Sequence, residues 1–279
     1  MKKKGFRKHF TKFLHSKKAL ALPLTYLILL VSLITIISAT YSYAVIRIAA
    51  KGASLKASIA KQNMQLLDNA AHAVAWASGS SEVIYMDDTG GTFKTEPTSR
   101  NLTINITDEQ GLNEIVFNDS VGEALYELES SEVSYADVFV RGDDRAIINQ
   151  TAFTMTQLYG AIGTSTQNLI LSYRPMATTM IIGTSNDKPL NLVRIYVITL
   201  NESQNMNLAG SFNMKVTALN TTTVSRQYEF NQSVSSLGLE VNLSGTIGSV
   251  SLQISSNAQG AAVNVETVAC SIKLQRVEV

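Results

Sequence analysis

The sequence has few of the residues that usually carry catalysis or covalent cross-linking. Its 279 residues include one cysteine, Cys270, and three histidines, His9, His15 and His72. A lone cysteine excludes an intrachain disulfide, and apolar alternation around Cys270 predicts that it lies on the buried face of a strand. Because no histidine follows His72, a His-based triad or an ordinary zinc site is excluded beyond it. We expect no enzyme, no metal site and no cofactor.

In the long C-terminal part, carboxylates are the remaining candidates for catalysis or metal binding, and one motif there resembles a metal-binding signature. Tyr85-Met86-Asp87-Asp88 spells the metal-binding signature of reverse transcriptases. That chemistry needs a further carboxylate, two divalent metals and a basic groove. Paired aspartates before Gly90 and Gly91 are instead typical of a turn that follows a short strand.

A second short motif, Arg141-Gly142-Asp143, is an adhesion tripeptide in animal matrix proteins. Three residues carry little information, and we predict a hairpin turn there. No carboxylate cluster has the spacing of an EF-hand; the candidates are Asp87, Asp88, Asp108, Glu109, Asp143 and Asp144. A carbohydrate-active enzyme that uses Asp87 or Asp143 with a metal is the weakest alternative.

Charge is absent from residues 19–46, a run of 28 positions. A membrane helix needs roughly 20 apolar residues, so this run is long enough to span a bilayer. Eight of the 23 basic residues precede it within residues 1–18, and the rest of the chain has a net charge of −7. By the positive-inside rule the tail is cytoplasmic and the remainder extracellular. The short basic tail has no aromatic platform, so we expect no nucleic-acid partner.

Helix-forming residues continue beyond the apolar run. Residues 48–77 lack proline and are rich in Ala, Leu, Lys, Gln and Met, which favour helix. We predict a transmembrane segment over residues 20–46 and an amphipathic stalk over residues 47–79, ended by Gly79 and nearby serines. Three- and four-residue spacing predicts one narrow apolar stripe for helix assembly, formed by Ile48, Gly52, Leu55, Ile59, Leu66 and Ala70, with Ala73 and Ala77 beyond.

The rest of the chain, residues 80–279, has the period-two alternation of half-buried antiparallel strands. Alternating apolar residues occur at 102–106, 237–243 and 250–254, and residues 192–200 are more uniformly apolar than these, which is typical of a central strand. We therefore predict an α+β protein: a long N-terminal membrane-spanning helix extending into a stalk, then an all-β, sandwich-like extracellular domain. Two β lobes divided near residues 183–190 are an alternative.

Eight N-x-S/T sequences follow the apolar run, so all lie on the predicted extracellular side. This favours a surface glycoprotein over chance occurrence in an Asn- and Thr-rich chain. The acceptor residues are Asn101, Asn105, Asn118, Asn149, Asn201, Asn220, Asn231 and Asn242.

The start of the apolar run resembles the class III signal of archaeal type IV pilins and archaellin-like proteins. Basic residues precede Lys18-Ala19, an apolar helix follows, and Pro23 lies near its beginning. In that family a prepilin peptidase cuts after a Lys/Arg-Gly/Ala pair. The resemblance covers about residues 15–77. It implies a leader of residues 1–19 that is removed by cleavage after the Lys18-Ala19 pair, so that Leu20 becomes the new N-terminus. Leu24 departs from the glutamate that many bacterial pilins carry at the fifth mature position.

The resemblance implies a structural subunit of a pilus-like surface filament. Its partners would be the lipid bilayer, the prepilin peptidase and other pilin-like subunits bound through the N-terminal helix. The main alternative is an uncleaved, single-pass membrane protein that displays its β domain for adhesion or ligand binding. A secretory signal removed near Val45, after Ser42-Tyr43-Ala44, is a further alternative, although its apolar core is too long.

Overall fold

A computed structural model describes residues 17–109, 111–129, 138–150, 152–163 and 166–278, with the backbone alone for residues 17–22. The chain divides into two compact units, Met1–Gly52 and Ala53–Val279. The described part contains one long helix near the N-terminus and is rich in strands beyond it. This confirms a helix plus a β domain.

The helix α1 is Lys17–Val74. The strands follow it in the order β1 (Ser81–Met86), β2 (Thr92–Glu96), β3 (Asn101–Thr107), β4 (Asn113–Ser120), β5 (Glu123–Glu129), β6 (Phe139–Arg141), β7 (Thr156–Ile162), β8 (Thr166–Tyr173), β9 (Met176–Ser185), β10 (Lys188–Thr199), β11 (Met206–Ala209), β12 (Phe212–Phe230), β13 (Ser236–Leu243), β14 (Thr246–Gln253) and β15 (Ala261–Val277).

The strands form three sheets rather than the two of a simple sandwich. A central sheet has the order β1-β12-β15-β10-β9, a six-stranded sheet the order β11-β2-β5-β8-β7-β6, and a four-stranded sheet the order β14-β13-β3-β4. Neighbouring strands are antiparallel except β10 and β15, which are parallel. The three runs predicted to be antiparallel strands, in β3, β13 and β14, pair antiparallel, and the one parallel pair lies inside the central sheet.

The central sheet is buried on both faces because successive side chains of a strand point to opposite sides. On one face, Ile198, Cys270 and Ile272 pack in a core shared with α1 and the six-stranded sheet. On the other, Ile195 and Val263 pack against the four-stranded sheet. The predicted burial of Cys270 is confirmed, since its exposure is 0%.

A β-bulge lets the long strand β12 contribute to both cores. The register with β15 shifts between Ala218 and Asn220, and an extra residue reverses the alternation that follows. Phe212 and Met214 precede the bulge and belong to the core beside α1, whereas Phe230 lies beyond it in the core beside the four-stranded sheet.

The alternation in the sequence correctly located three strands of the four-stranded sheet, β3, β13 and β14. Leu102, Ile104 and Ile106 are fully buried in β3, and the apolar residues of β13 have exposures of 0–1%. β10, which includes most of the more uniformly apolar run, has a strand on each side, as predicted.

The alternative of two β lobes divided near residues 183–190 is wrong. β9 and β10 form a hairpin there, in which Ser185 pairs with Lys188. Asn186 and Asp187 have φ values of 51° and 61°, the left-handed conformation of a tight two-residue turn. The turn belongs to one sheet within the unit Ala53–Val279.

The helix ends at Val74, five residues before the predicted end of the stalk at residue 79. Trp76 has a φ of 70° and Gly79 a φ of 83°, and a left-handed residue cannot continue a right-handed helix. The Ser80 hydroxyl donates to the Val74 carbonyl at 3.0 Å, which satisfies one acceptor of the final turn.

Candidate functional site

The first part of α1 carries an unbroken apolar surface. Its large apolar side chains from Leu24 to Ile48 have exposures of 47–72%. Pro23–Val74 is long and apolar enough to cross a membrane, with a mean hydropathy of 2.0 in its most apolar window. A soluble domain rarely exposes so large an apolar surface without a partner.

Three hydroxyl groups within this apolar segment are satisfied inside the helix. The hydroxyls of Ser32, Thr35 and Thr40 donate to the carbonyls of Leu29, Val31 and Ile36, each at 2.8 Å. A hydroxyl bonded in this way needs no water, which is the condition for placing it in hydrocarbon.

The first charged residue after the apolar run is held against an aromatic ring. Arg47 Nε donates to the Tyr43 hydroxyl at 2.9 Å, and its guanidinium carbon lies 5.1 Å from the centre of the Tyr43 ring. Arginine and tyrosine are common at the interface between lipid and water. This pair marks one end of the uncharged segment.

The candidate processing residues Lys18, Ala19 and Leu20 lie at the beginning of α1. Pro23 follows as an internal residue of the same helix. Proline has no N–H to donate to the carbonyl four residues earlier, which is that of Ala19.

The predicted assembly stripe is largely exposed. Ile48, Leu55 and Leu66 have exposures of 72%, 64% and 40%, Gly52 is exposed and Ile59 half-buried. Ala70 is the exception, because it is 2% exposed within the β-domain core. That burial removes Ala70 from any surface that could contact another subunit.

A second face of α1, which the sequence analysis missed, packs into the β domain. Its residues have the same three- and four-residue spacing, and each has an exposure of 3% or less. They are Ala60, Met64, Leu67, Ala71 and Val74. Alanine and leucine also occupy the exposed stripe, so composition does not distinguish the two faces. The fully buried Asp68 and the nearly buried Asn63 interrupt the apolar pattern of the second face, which makes it harder to recognise from the sequence.

Asp68 is the centre of a polar cluster between α1 and the six-stranded sheet. Its carboxylate accepts hydrogen bonds from the Thr156 hydroxyl at 2.7 Å and the Tyr173 hydroxyl at 3.2 Å. Arg141 forms an ion pair with it, and His72 Nε2 lies 3.4 Å away. Burial, and then the nearby Asp68 carboxylate, raise the pKa of Tyr173 well above its ordinary value, so this hydroxyl remains a donor.

Asn63 holds the turn that contains the two aspartates of the Tyr-Met-Asp-Asp motif. Its side chain donates to the Asp87 carbonyl at 2.8 Å and accepts from the Asp87 N–H at 3.2 Å. Asp88 Oδ1 accepts the Gly90 N–H at 2.7 Å. The motif ends β1 and begins a turn, as predicted, and its second aspartate is used within that turn. Burial raises the pKa of Tyr126, a further neighbour of Asn63, to about 12.

The Arg-Gly-Asp tripeptide is integrated into the fold. Arg141 bonds Asp68 and Asn69 of α1, and a Cβ at Gly142, where φ is 80°, would overlap the Thr156 carbonyl oxygen. Asp143 pairs with Arg145 and with the fully buried Arg174. Hydrogen bonds from Arg145, and then Arg174, hold the pKa of Asp143 well below its ordinary range. The tripeptide begins at the last residue of β6.

The eight sequon asparagines differ in accessibility. Asn105 and Asn201 are half-buried, and the other six are exposed: Asn101, Asn118, Asn149, Asn220, Asn231 and Asn242. Ser203, the hydroxyl residue of the Asn201 sequon, is 8% exposed. Ser203 Oγ accepts the Leu274 N–H at 3.1 Å, so it is engaged in the folded chain.

Within the described ranges, no group of three or more His, Cys, Asp or Glu side chains is placed to hold a metal ion. No protein-family model, curated protein or solved structure matches the chain. The helix and its two faces therefore carry the functional argument.

Proposed function

We propose that the chain is a structural subunit of an archaeal pilus-like surface filament. It would be a membrane-inserted glycoprotein processed by a prepilin peptidase, with the N-terminus cytoplasmic and the β domain extracellular. The observation that carries the proposal is the exposed apolar segment from Leu24 to Ile48, directly preceded by the basic leader and the Lys18-Ala19 pair.

The position of Pro23 supports cleavage before Leu20. In α1 as described, Pro23 is the seventh helical residue, where a missing N–H and a ring clash cost about 3 kcal/mol. After cleavage it would be the fourth residue of the mature chain. The first four N–H groups of a helix have no partner in the helix, so proline costs little there. Removal of the leader would thus relieve an unfavourable position.

The two faces of α1 support assembly through the helix. One face fixes residues 60–74 in the β-domain core, and the other leaves Leu55 and Leu66 exposed. An exposed apolar stripe can be buried only by lipid or by another protein surface. Loss of the eight leader charges would release the mature helix from the cytoplasmic face, and packing of identical helices would then bury the stripe.

An uncleaved membrane anchor that displays the β domain is the alternative function. The β domain has hydrophobic cores of its own, so it can serve as a displayed binding module without assembly. The apolar segment fits a permanent anchor as well as a filament helix.

The N-terminal residue of the mature protein distinguishes these functions. We would determine it by mass spectrometry of the chain isolated from membranes and from sheared surface material. A start at Leu20, within one residue, together with filaments in the sheared fraction, is expected. A mature chain that still begins at Met1 would contradict the filament proposal and support the uncleaved membrane anchor. A start near Val45 would indicate a released secretory protein.

A further inference from the structure

An open groove of about 400 Å³ lies where β10, β12 and β15 meet the end of β4. Its floor follows the register of the central sheet, since Ser271 of β15 pairs with Thr199 on one side and with Asn220 on the other. Asp119 and Glu202 contribute carboxylates from outside this row. The volume is within the range of small-molecule sites, about 300–1,000 Å³.

The groove has hydrogen-bonding capacity that the described part of the chain leaves unused. Ser271 Oγ is shielded from solvent and has no partner. The side chains of Asn220 and Glu202 line the groove, and neither has a hydrogen-bond partner in that part of the structure. Glu202 and Asn220 are both exposed, so a bound ligand with hydroxyl groups can bond to their side chains directly.

The polar side chains are held in fixed positions around these free groups. Thr199, which is 4% exposed, donates from its hydroxyl to Asn201 Oδ1 at 2.9 Å. Asn201 Nδ2 donates to Asp119 Oδ2 at 3.4 Å, and Asp119 Oδ1 accepts the Ser120 N–H at 2.7 Å. The wall formed by Asn201 and Asp119 is therefore organised before any ligand binds.

The charge of the lining selects the ligand class. Among the residues that the structure describes, no lysine or arginine lines the groove, and the lining contributes two carboxylates, two amides and three hydroxyls. A phosphate or sulfate would meet two carboxylates without a compensating cation. A neutral molecule with many hydroxyl groups can donate to Asp119 and Glu202 and also accept from the Asn220 amide.

We propose that this groove binds a neutral carbohydrate. The carbohydrate can be attached to the chain as well as free in solution, because two lining residues, Asn201 and Asn220, are sequon acceptors. Asn220 is the better acceptor, since Asn220 and Thr222 are both exposed whereas Ser203 of the other sequon is buried. The sugar is then either the first part of a glycan attached to Asn220 or a free saccharide. The attached source rests on the proposed surface glycoprotein, and the free source does not.

The attached source is tested on the full chain isolated from its native membrane. Glycopeptide mass spectrometry gives the occupancy of Asn220, and hydrogen exchange compares that chain with Asn220→Gln. An attached sugar in the groove would slow amide exchange at residues 199–202 and 219–222, by about tenfold or more, and N220Q would lose this protection. Asn101→Gln is the control, because Asn101 is an exposed acceptor outside the groove lining.

The free source is tested on the full chain produced in a host without N-glycosylation, which keeps the Asn220 side chain in the groove, in a detergent without a sugar headgroup. Saturation-transfer NMR would use glucose, galactose, mannose and N-acetylglucosamine as probes at up to 10 mM. Binding that weakens about tenfold or more in Asp119→Asn or Glu202→Gln is expected, as for loss of a charged hydrogen-bond acceptor. Glu240→Gln, an exposed carboxylate on β13, is the matched control.

Either result supports the groove as a carbohydrate site, and failure of both overturns it. Occupancy of Asn220 without protection, together with no binding of the four sugars, is such a failure. Binding of Ca²⁺ by Asp119 and Glu202 without any sugar binding would also overturn it. The N-terminal residue is measured independently, so failure of the groove leaves the filament proposal intact, and an uncleaved chain leaves the groove intact.

Discussion

Asp68 of α1 and Arg141 of β6 form an ion pair with very unequal exposure. The Asp68 side chain is 0% exposed, whereas that of Arg141 is 40% exposed. Arg141 can therefore turn toward water when its partner is absent, but Asp68 cannot. Loss of one partner of a buried pair is costly because the remaining charge is uncompensated.

This asymmetry predicts that Arg141→Met destabilises the protein more than Asp68→Asn does. We expect Arg141→Met to cost about 3 kcal/mol, because it leaves the buried carboxylate without its cation. Asp68→Asn retains an acceptor for Thr156 and Tyr173 and should cost about 1 kcal/mol. The measurement is denaturant unfolding of the full chain in detergent, followed by the fluorescence of Trp76.

The double variant, Asp68→Asn with Arg141→Met, is the internal control. With no carboxylate left to compensate, it should be close to Asp68→Asn alone. An equal or reversed order of the two single variants would show that the ion pair does not dominate this cluster.

The neighbours Leu66 and Leu67 lie on different faces of α1, about 100° apart around its axis, with exposures of 40% and 1%. Leu67→Ala removes a buried side chain and should cost about 2–5 kcal/mol. Leu66→Ala should change the free energy of unfolding by no more than about 0.5 kcal/mol. Denaturant unfolding of the two variants under identical conditions gives both values.

The same pair tests the exposed stripe as an assembly surface. Leu66→Asp places a charge on that stripe without entering the core, so it should sharply reduce filaments in the sheared surface fraction. Total chain in the membrane, measured by immunoblot, should remain unchanged. Normal filament yield from Leu66→Asp would exclude this face from subunit packing.

Periodicity predicted the individual elements better than their packing. Alternation located β3 and β13 because each buries one face, and the long uncharged run located the first part of α1. The second face of α1 was missed because its alanines resemble those of the exposed stripe. The partners of Asp68 and Asn63 are distant in the sequence, with Arg141 73 residues beyond Asp68. No local pattern indicates that these polar residues are buried and paired.

The arrangement of the strands in three sheets could not be predicted from the sequence, for a related reason. The bulge between Ala218 and Asn220 changes which face of β12 is buried, and a single extra residue leaves no clear signal in a strand rich in threonine. The groove beside that bulge is formed by residues from β4, β10, β12 and β15 and by residues 201–202, and these strands come from two different sheets.

Substitution at the processing site tests the filament proposal directly. Lys18→Gln with Ala19→Val should block cleavage before Leu20 and leave the chain at its full mass, with no filaments. Lys12→Gln is the matched control, because it removes a leader charge away from the pair and should be processed normally. Cleavage at Leu20 in the Lys18/Ala19 variant would contradict a prepilin-type signal.

Asp143 predicts a specific dependence of stability on pH. Its folded pKa is held low by Arg145 and Arg174, whereas an unfolded aspartate has a pKa of about 3.9. A group with a lowered folded pKa stabilises the fold above its unfolded pKa, and that stability is lost as pH falls toward the folded value. Asp143→Asn should therefore reduce the unfolding midpoint at pH 7, and the difference from the wild type should shrink progressively below about pH 4.

The neighbouring Asp144 provides the control for this pH dependence. It is exposed and makes no ion pair in the described part of the chain. Asp144→Asn should therefore leave the unfolding midpoint nearly unchanged, both at pH 7 and below about pH 4. Arg174, by contrast, is fully buried and donates to the carbonyls of Thr154 and Arg145 as well as to Asp143. Asp143→Asn leaves that guanidinium with three backbone acceptors, the carbonyls of Asp143, Arg145 and Thr154, but no counter-charge, which explains why the cost is greatest at neutral pH. A difference between Asp143→Asn and wild type that stayed constant from pH 7 to pH 2.5 would mean that the Asp143 carboxylate is not the group whose protonation weakens the fold.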